Sequence, residues 1–465
     1  MYIPEKERFQ AAFTYIIQHK SSRVKKYIKN GRLGAAGEIK ENKMNEFFDI
    51  DERLNRISDE VENRISDRFK KIDSVTEYNQ QKMLASFVKN RVSESSFAAS
   101  TGYGYGDVGR ETIERVFADA VGAEDALFRH NFVSGTHALC VALFGVLRTG
   151  DTVVCVSSEP YDTIRGVFGI TPADGSLAEF GIKYEQIDLL EDSSPDFNAI
   201  EKRLKDSFVK VIYIQRSRGY SLRKSLSVET IGEICALVKS VSPKTVVMVD
   251  NCYGEFTEKT EPVSVGADLI VGSLIKNAGG GIAPTGGYIA GRHDLVELCA
   301  GRLTTPSTGR EVGATLGLSR ELFMGLFNAP HVTGEAIKTA VYAAALFERL
   351  GFSVSPTFDE DRSDIIELIC LESPERLIEF CRGIQKCAPV DSFATPEPWD
   401  MPGYDDKVIM AAGAFTLGAS IELSADAPIR EPYTVWMQGG LNFHSAKVGV
   451  LAAADLMLKK GYIEI

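Results

Sequence analysis

The sequence predicts an α/β protein: a large domain built on a mostly parallel sheet covered by helices, followed by a smaller α+β domain. Three observations lead there. Between about residues 95 and 300, short runs rich in Val and Ile alternate with helical stretches, as expected of parallel strands buried on both faces. After about residue 300 the order changes to helix, strand, helix, strand pair, helix. The length of 465 residues also exceeds what one hydrophobic core supports, so more than one domain is expected.

Taken in order, residues 1–43 carry a basic cluster, "KSSRVKKYIKNGR", and a small-residue run, "LGAAGE", and read as a loosely held extension, with Met44 an alternative start. Residues 44–94 read as a helical arm. From Phe47 the apolar positions Leu54, Ile57, Val61, Ile65, Phe69 and Ile72 step by three or four, which gives an amphipathic helix with a stripe that a partner subunit could bury. The large domain, 95–300, holds a helix at "GRETIERVFADAVG" and another opening at "SGT" in "FVSGTHALCVALFGVL". Its strands are "DTVVCVSS", "VKVIYIQ", "TVVMVDN", "ADLIVGS" and "GGYIAG", all runs without polar alternation. Residues 301–465 form the smaller domain: a helix at "EAIKTAVYAAALFERLG", a strand at "DIIELICLE", a helix at "PERLIEFCRGIQKC", a strand pair within "KVIMAAGAFTLGASIELSAD" and a last helix at "SAKVGVLAAADLMLKKG".

Composition narrows the function. A net charge of −12 and a pI near 5.2 argue against a nucleic-acid-binding surface. No apolar run is long enough for a bilayer, and the first twenty residues break their apolar positions with charge, unlike a signal peptide, so a cytoplasmic protein without a membrane partner is expected. The eight cysteines form no C-x-x-C and the six histidines no H-E-x-x-H. Reduced, buried thiols are expected, and no metal.

In a parallel sheet ligands gather at the carboxyl ends of the strands. Three features stand there. Ser134, Gly135 and Thr136 open a helix whose unpaired N–H groups and positive dipole end suit a phosphate, although "SGT" is also an ordinary N-cap. Asp250 ends the apolar strand "VVMVD", where an acid is costly unless it meets a partner or caps a turn. Lys276 follows the strand "ADLIVGS" by three residues and precedes a glycine-rich stretch. Phosphate site, acid and lysine in that order meet the needs of a pyridoxal 5'-phosphate (PLP) enzyme: an amine for the aldehyde, an acid for the ring nitrogen, and a cradle for the phosphate.

The stretches "STGYGYGDVGRETIE", "SGTHAL", "VDNCYGEF", "GSLIKNAGGGIAPTGGYIAG" and "APIREPYTVWMQGGLNFHSAK" resemble fold-type I PLP enzymes of the cystathionine/methionine lyase group, closest to the cystathionine β-lyase-like "aluminium resistance" branch. The resemblance covers roughly residues 45–465. It implies the PLP-dependent transferase-like fold of the aspartate aminotransferase type, with a seven-stranded sheet in the large domain. It makes Lys276 the Schiff-base lysine and Asp250 the partner of the pyridine nitrogen, and gives Ser134, Gly135, Thr136 and Ser273 the phosphate. Tyr161 matches a tyrosine that stacks on the cofactor ring, with His137 a competitor. Tyr103 and Tyr105 match a segment that reaches the neighbouring subunit's phosphate site, although "YGYGD" departs from the Tyr-x-Arg pattern there. The substrate carboxylate should meet an arginine. Arg430 comes first, with Arg216 and Arg218 in reserve.

The resemblance implies a carbon–sulfur lyase acting on a cystathionine-, methionine- or cysteine-like amino acid by β- or γ-elimination, in a homodimer or homotetramer with shared active sites. An aldolase or racemase of a small amino acid uses the same first steps, and a non-catalytic PLP-fold protein is the third reading.

Overall fold

The computed structural model describes residues 47–400 and 406–465; the basic extension at 1–43 and Met44 lie outside the described residues. The unit Ile50–Ile465 is built on two sheets. Helix α1, Glu52–Lys89, starts where the Asp51 side chain accepts the Arg53 N–H, and it buries Leu54, Ile57, Val61, Ile65, Ile72 and Met83. The stripe expected to face a partner subunit is therefore used inside the chain. Each such aliphatic side chain gains about 1.5–3 kcal/mol on burial, which an arm standing free of the core would forgo. The helix also outruns the expected end at Ile72 and continues to Lys89, past a buried Asn79 that donates to the Phe256 and Glu258 carbonyls.

The large sheet is assembled in chain order from α2 (Val108–Val121), β1 (Asp125–Arg129), α3 (Gly135–Val146), β2 (Thr152–Cys155), α4 (Asp162–Phe168), β3 (Lys183–Gln186), α5 (Phe197–Asp206), β4 (Val211–Gln215), α6 (Val228–Val241), β5 (Val246–Asp250), β6 (Leu269–Ser273), β7 (Gly287–Gly291) and α7 (His293–Leu303). Its seven strands lie in the order β1-β7-β6-β5-β4-β2-β3, and only β7 runs against its neighbours. The expected apolar runs supply five of these strands. The other two, β1 and β3, are "DALFR" and "KYEQ", too short or too polar to stand out. One face packs on α2 and α6 through Val116, Phe117, Ile231 and Ile234, and the other on α3 and α7 through Leu139, Leu143, Val296 and Cys299.

After α7 come α8 (Ser319–Arg349), β8 (Ser353–Ser355), β9 (Ile366–Cys370), α9 (Pro374–Lys386), β10 (Val408–Ala411), β11 (Ser424–Pro428), β12 (Thr434–Gln438) and α10 (Phe443–Lys459). The five strands form an antiparallel sheet ordered β10-β11-β12-β9-β8. One face is closed by α9 and α10 over Ala425, Ala427, Val435 and Met437. Strand alternation then turns Asp426, Trp436 and Gln438 the other way. Both long helices bridge the two cores. Met83 of α1 and Leu322 and Leu326 of α8 belong to the large-sheet core, while Leu54 to Ile72 and Ala336 to Phe347 belong to that of the small sheet.

Behind the strand ends lies a buried acid. Glu255 is fully enclosed, accepts the Tyr288 hydroxyl at 2.7 Å on Oε1, and has no partner on Oε2. Burial pushes its carboxyl up to about 8 from an ordinary 4.5. A raised folded-state value means that its contribution to stability is complete below the unfolded value and is lost as pH rises through the folded one. Thermal midpoints measured across about pH 4.5 to 8 should fall less steeply in Glu255→Gln than in the parent protein. Equal slopes would show that Glu255 does not titrate in this window.

Candidate active site

The carboxyl ends of β4, β5 and β6 and the start of α3 open onto one cavity of about 260 Å³. Its base is the meeting of α3 with β6. Ser134 caps α3 by accepting the His137 N–H at 3.1 Å, which leaves the Gly135 and Thr136 amides at the positive end of the helix without helical partners. A Cβ on Gly135 would come to 2.9 Å from Ser273 Cβ, closer than carbon atoms pack, so only glycine lets the helix start approach the strand end. The Ser273 hydroxyl is buried there without a hydrogen-bond partner. An orphaned hydroxyl beside free helix amides fits an oxyanion such as phosphate.

Asp250 is 3% exposed at the end of β5. It accepts the Cys252 backbone N–H at 3.1 Å and the Tyr213 hydroxyl at 3.4 Å, both neutral donors. Burial raises its pKa, against the opposing pull of those hydrogen bonds and of the Lys276 charge. Lys276 stands opposite. Its Nζ donates to the Tyr253 hydroxyl at 2.5 Å and to Ser420 Oγ at 3.4 Å, and it lies 3.7 Å above the Tyr253 ring. Burial alone would lower the amine's pKa, but Tyr253, Cys252 and Asp250 outweigh it and leave it above the ordinary value. The free amine is therefore held as a cation.

Tyr253 reaches that amine from a strained turn. Its φ of +71° is a strained region for a side-chain-bearing residue, at a cost of about 1–3 kcal/mol, and Asn277 holds the turn by donating to the Tyr253 and Glu255 carbonyls. Tyr161 lines the same cavity, its hydroxyl 2.7 Å from Thr136 Oγ1 and its backbone N–H donating to Gln215 at 2.8 Å.

Other expected residues lie elsewhere. His137 turns back on its own loop, Nδ1 accepting the Val133 N–H at 3.0 Å, and its ring does not line the cavity. Arg216 is wholly buried and donates to Asn251, the Gly254 carbonyl, Thr257, Glu258 and Glu261, so its fork is consumed by structure. Arg218 donates to Ser355 instead. Arg430 is half exposed and pairs with Asp406 at 3.4 Å. Arg218 and Arg430 line a second chamber of about 360 Å³ that shares Tyr161, Gln215 and Tyr220 with the first. Among the described residues no arginine lines the Lys276 cavity. Tyr103 and Tyr105 are 72% and 65% exposed, stack on each other at 5.4 Å, and do not reach their own chain's cavity.

The profile of the family described as methionine gamma-lyase matches residues 54–458. The chain belongs to that family. With membership in the methionine gamma-lyase family go a fold-type I architecture, PLP as cofactor and lyase chemistry. The Bacillus subtilis (strain 168) protein YnbB is 45% identical to this family member over 89% of this chain and 98% of its own. A Clostridium novyi NT structure described as a carbon-sulfur lyase involved in aluminium resistance is 50% identical, covers 87% of this chain and 96% of its own, and superposes with a TM-score of 0.85. A Clostridium acetobutylicum structure described as a candidate cystathionine beta-lyase involved in aluminium resistance is 47% identical, covers 91% and 100%, and reaches 0.86.

Sequence reasoning left Tyr253, Ser420, Asp426, Trp436 and Gln438 unassigned, although all but Ser420 line the cavity and Ser420 touches Lys276. Tyr253 stood in a quoted motif three residues after Asp250. Asp426 also lies inside a buried strand, but "SADAP" lacks the unbroken apolar run that marked Asp250. Gly135→Ala should keep the fold but weaken cofactor binding at least about ten-fold, because the new Cβ pushes α3 away from Ser273. Titration of apoprotein with PLP checks this, and unchanged affinity would remove the helix start from the phosphate site.

Proposed function

We propose that the chain cleaves the carbon–sulfur bond of a small sulfur-containing amino acid, cystathionine-, methionine- or cysteine-like, by β- or γ-elimination, releasing a thiol, a keto acid and ammonia. The observation that carries this reading is the meeting of Lys276, Asp250 and the partnerless Ser273 hydroxyl at a helix start in one cavity. PLP, when bound, supplies an aldehyde that condenses with amines and a ring that takes up the electron pair left on the substrate's α-carbon.

The chain's own residues divide the remaining work. Ser273, the Thr136 hydroxyl and the Gly135 and Thr136 amides hold the phosphate, with Ser134 fixing the turn. Asp250 keeps the ring nitrogen protonated, and that nitrogen is in turn the cation its buried carboxylate lacks. Tyr161, on the cavity wall, would help hold the cofactor. Lys276 carries the cofactor and then removes the α-proton at Nζ. Tyr253, with its hydroxyl 2.5 Å from Nζ, holds that amine in position. Arg430, at the outer chamber, meets the substrate's carboxylate after giving up Asp406.

Exposed, stacked Tyr103 and Tyr105 support a homodimer or homotetramer in which they end at a neighbour's phosphate site. Gly104 holds their loop in place, its carbonyl accepting from buried Arg110 at 2.7 Å. Eight free cysteines support a reducing, cytoplasmic setting, and among the described residues no helix is long and apolar enough to cross a membrane.

Borohydride reduction of the cofactor-loaded protein, followed by peptide mapping, should place the adduct on Lys276. Another modified lysine overturns the assignment. Asp250→Asn should still bind PLP yet release thiol several orders of magnitude more slowly, since the electron sink is disabled. Near-normal release would give the ring nitrogen another partner. Mixed subunits of inactive Lys276→Ala and inactive Tyr103→Ala Tyr105→Ala should regain part of the activity, whereas confirmed but inactive hybrids would rule out shared sites.

A further inference from the structure

The small-sheet wall of the cavity carries an acid that the reaction above does not use. Asp426 on β11 is 5% exposed and stands in register with Trp436 on β12. The Tyr220 hydroxyl at 3.0 Å and Gln438 Nε2 at 2.8 Å both donate to Oδ2, so Oδ1 is the oxygen available to the cavity. The rings of Tyr220 and Trp436 meet edge to face at 5.6 Å beside it, and Ile366 and Tyr253 extend the apolar surface.

A buried carboxylate costs several kcal/mol unless a cation answers it. Both hydrogen-bond partners of Asp426 are neutral, burial raises its pKa, and the Lys276 charge offsets this only in part. In the reaction that charge is also spent, because Lys276 works as the cofactor's anchor and as a base. No arginine stands on these walls among the described residues, so the inner cavity itself offers a second carboxylate no guanidinium. A carboxylate edge flanked by electron-rich ring faces attracts a cation. The ammonium of Lys276 over the Tyr253 ring at 3.7 Å shows that an aromatic ring of this cavity already accommodates one.

We infer that Asp426, with the rings of Tyr220 and Trp436, is a subsite for a positively charged group at the far end of the substrate's sulfur-bearing side chain, such as a terminal ammonium. The inference rests on the carbon–sulfur lyase reading and adds a substrate class to it: thioether amino acids whose departing thiol is cationic.

Three cysteine thioethers of matched length decide it: S-(2-aminoethyl)cysteine, neutral S-propylcysteine and S-(2-carboxyethyl)cysteine. Each is titrated into holoenzyme, with affinity read from the cofactor's absorbance and thiol release followed in parallel. The aminoethyl compound should bind about ten-fold more tightly than the propyl compound, and the carboxyethyl compound most weakly. Asp426→Asn should bring the aminoethyl-to-propyl ratio within about two-fold. If circular dichroism shows that this variant does not fold, Trp436→Leu serves, with an expected narrowing of about three-fold from the lost ring face. A wild-type ratio near one, or a ratio that the substitution leaves intact, overturns the subsite while the lyase reading stands. If none of the three alters the spectrum of a cofactor that borohydride fixes on Lys276, the lyase reading itself fails and the subsite falls with it.

Discussion

Asp250 ends a buried strand with a phenol hydroxyl and a backbone amide as its donors, and neither carries charge. In a desolvated site such a carboxylate is stable only if a cation completes it, and its raised pKa expresses that deficit. The rest of the cavity repeats the imbalance. Asp426 on the facing wall is also buried among neutral donors, and Lys276 is the one lysine or arginine among the described lining residues. A cavity with more acids than cations is electrostatically incomplete, and the missing charge is what a protonated ring nitrogen and a cationic substrate group would bring. Binding of such groups then relieves a cost built into the fold.

The second constraint is closeness of backbone. The glycine-rich stretch after Lys276 has the composition of a mobile loop, but Asn277 to Gly280 are buried against helix α8. A Cβ at Gly279 would overlap the Leu274 carbonyl, and Gly325 of α8 leaves the space into which this loop fits. Lys276 thus projects from a segment pinned between β6 and α8, with Asn277 tied to the turn that carries Tyr253. The flexibility the composition suggests is spent on packing, and the lysine is held in place by it.

These two constraints explain what could be read from the chain and what could not. Parallel strands covered on both faces appear as unbroken apolar runs, so β2, β4, β5, β6 and β7 were legible, and with them the strand ends that place Asp250, Ser273 and Lys276. The small sheet hides its contribution. Only alternate residues of β11 and β12 face the cavity, and "SADAP" offers no run that separates Asp426 from a surface acid. Arg216 misled for a related reason. The partners that absorb it, Asn251 and Glu261 among them, lie 35 and 45 residues further on, so its burial is a property of the fold and not of its neighbourhood in sequence.

The two walls of the cavity belong to different sheets, so strand register cannot set the distance between them. Helices α1 and α8 do, since each places part of its length in the large-sheet core and part in the small-sheet core. Lys276, Asp250 and the helix start at Gly135 stand with the large sheet, and Asp426, Trp436 and Gln438 on the small one. On the reading proposed above, chemistry and recognition rest on separate platforms joined by two long helices, so that substitutions on the small sheet change which side chain is accepted while Lys276 and Tyr253 keep their geometry.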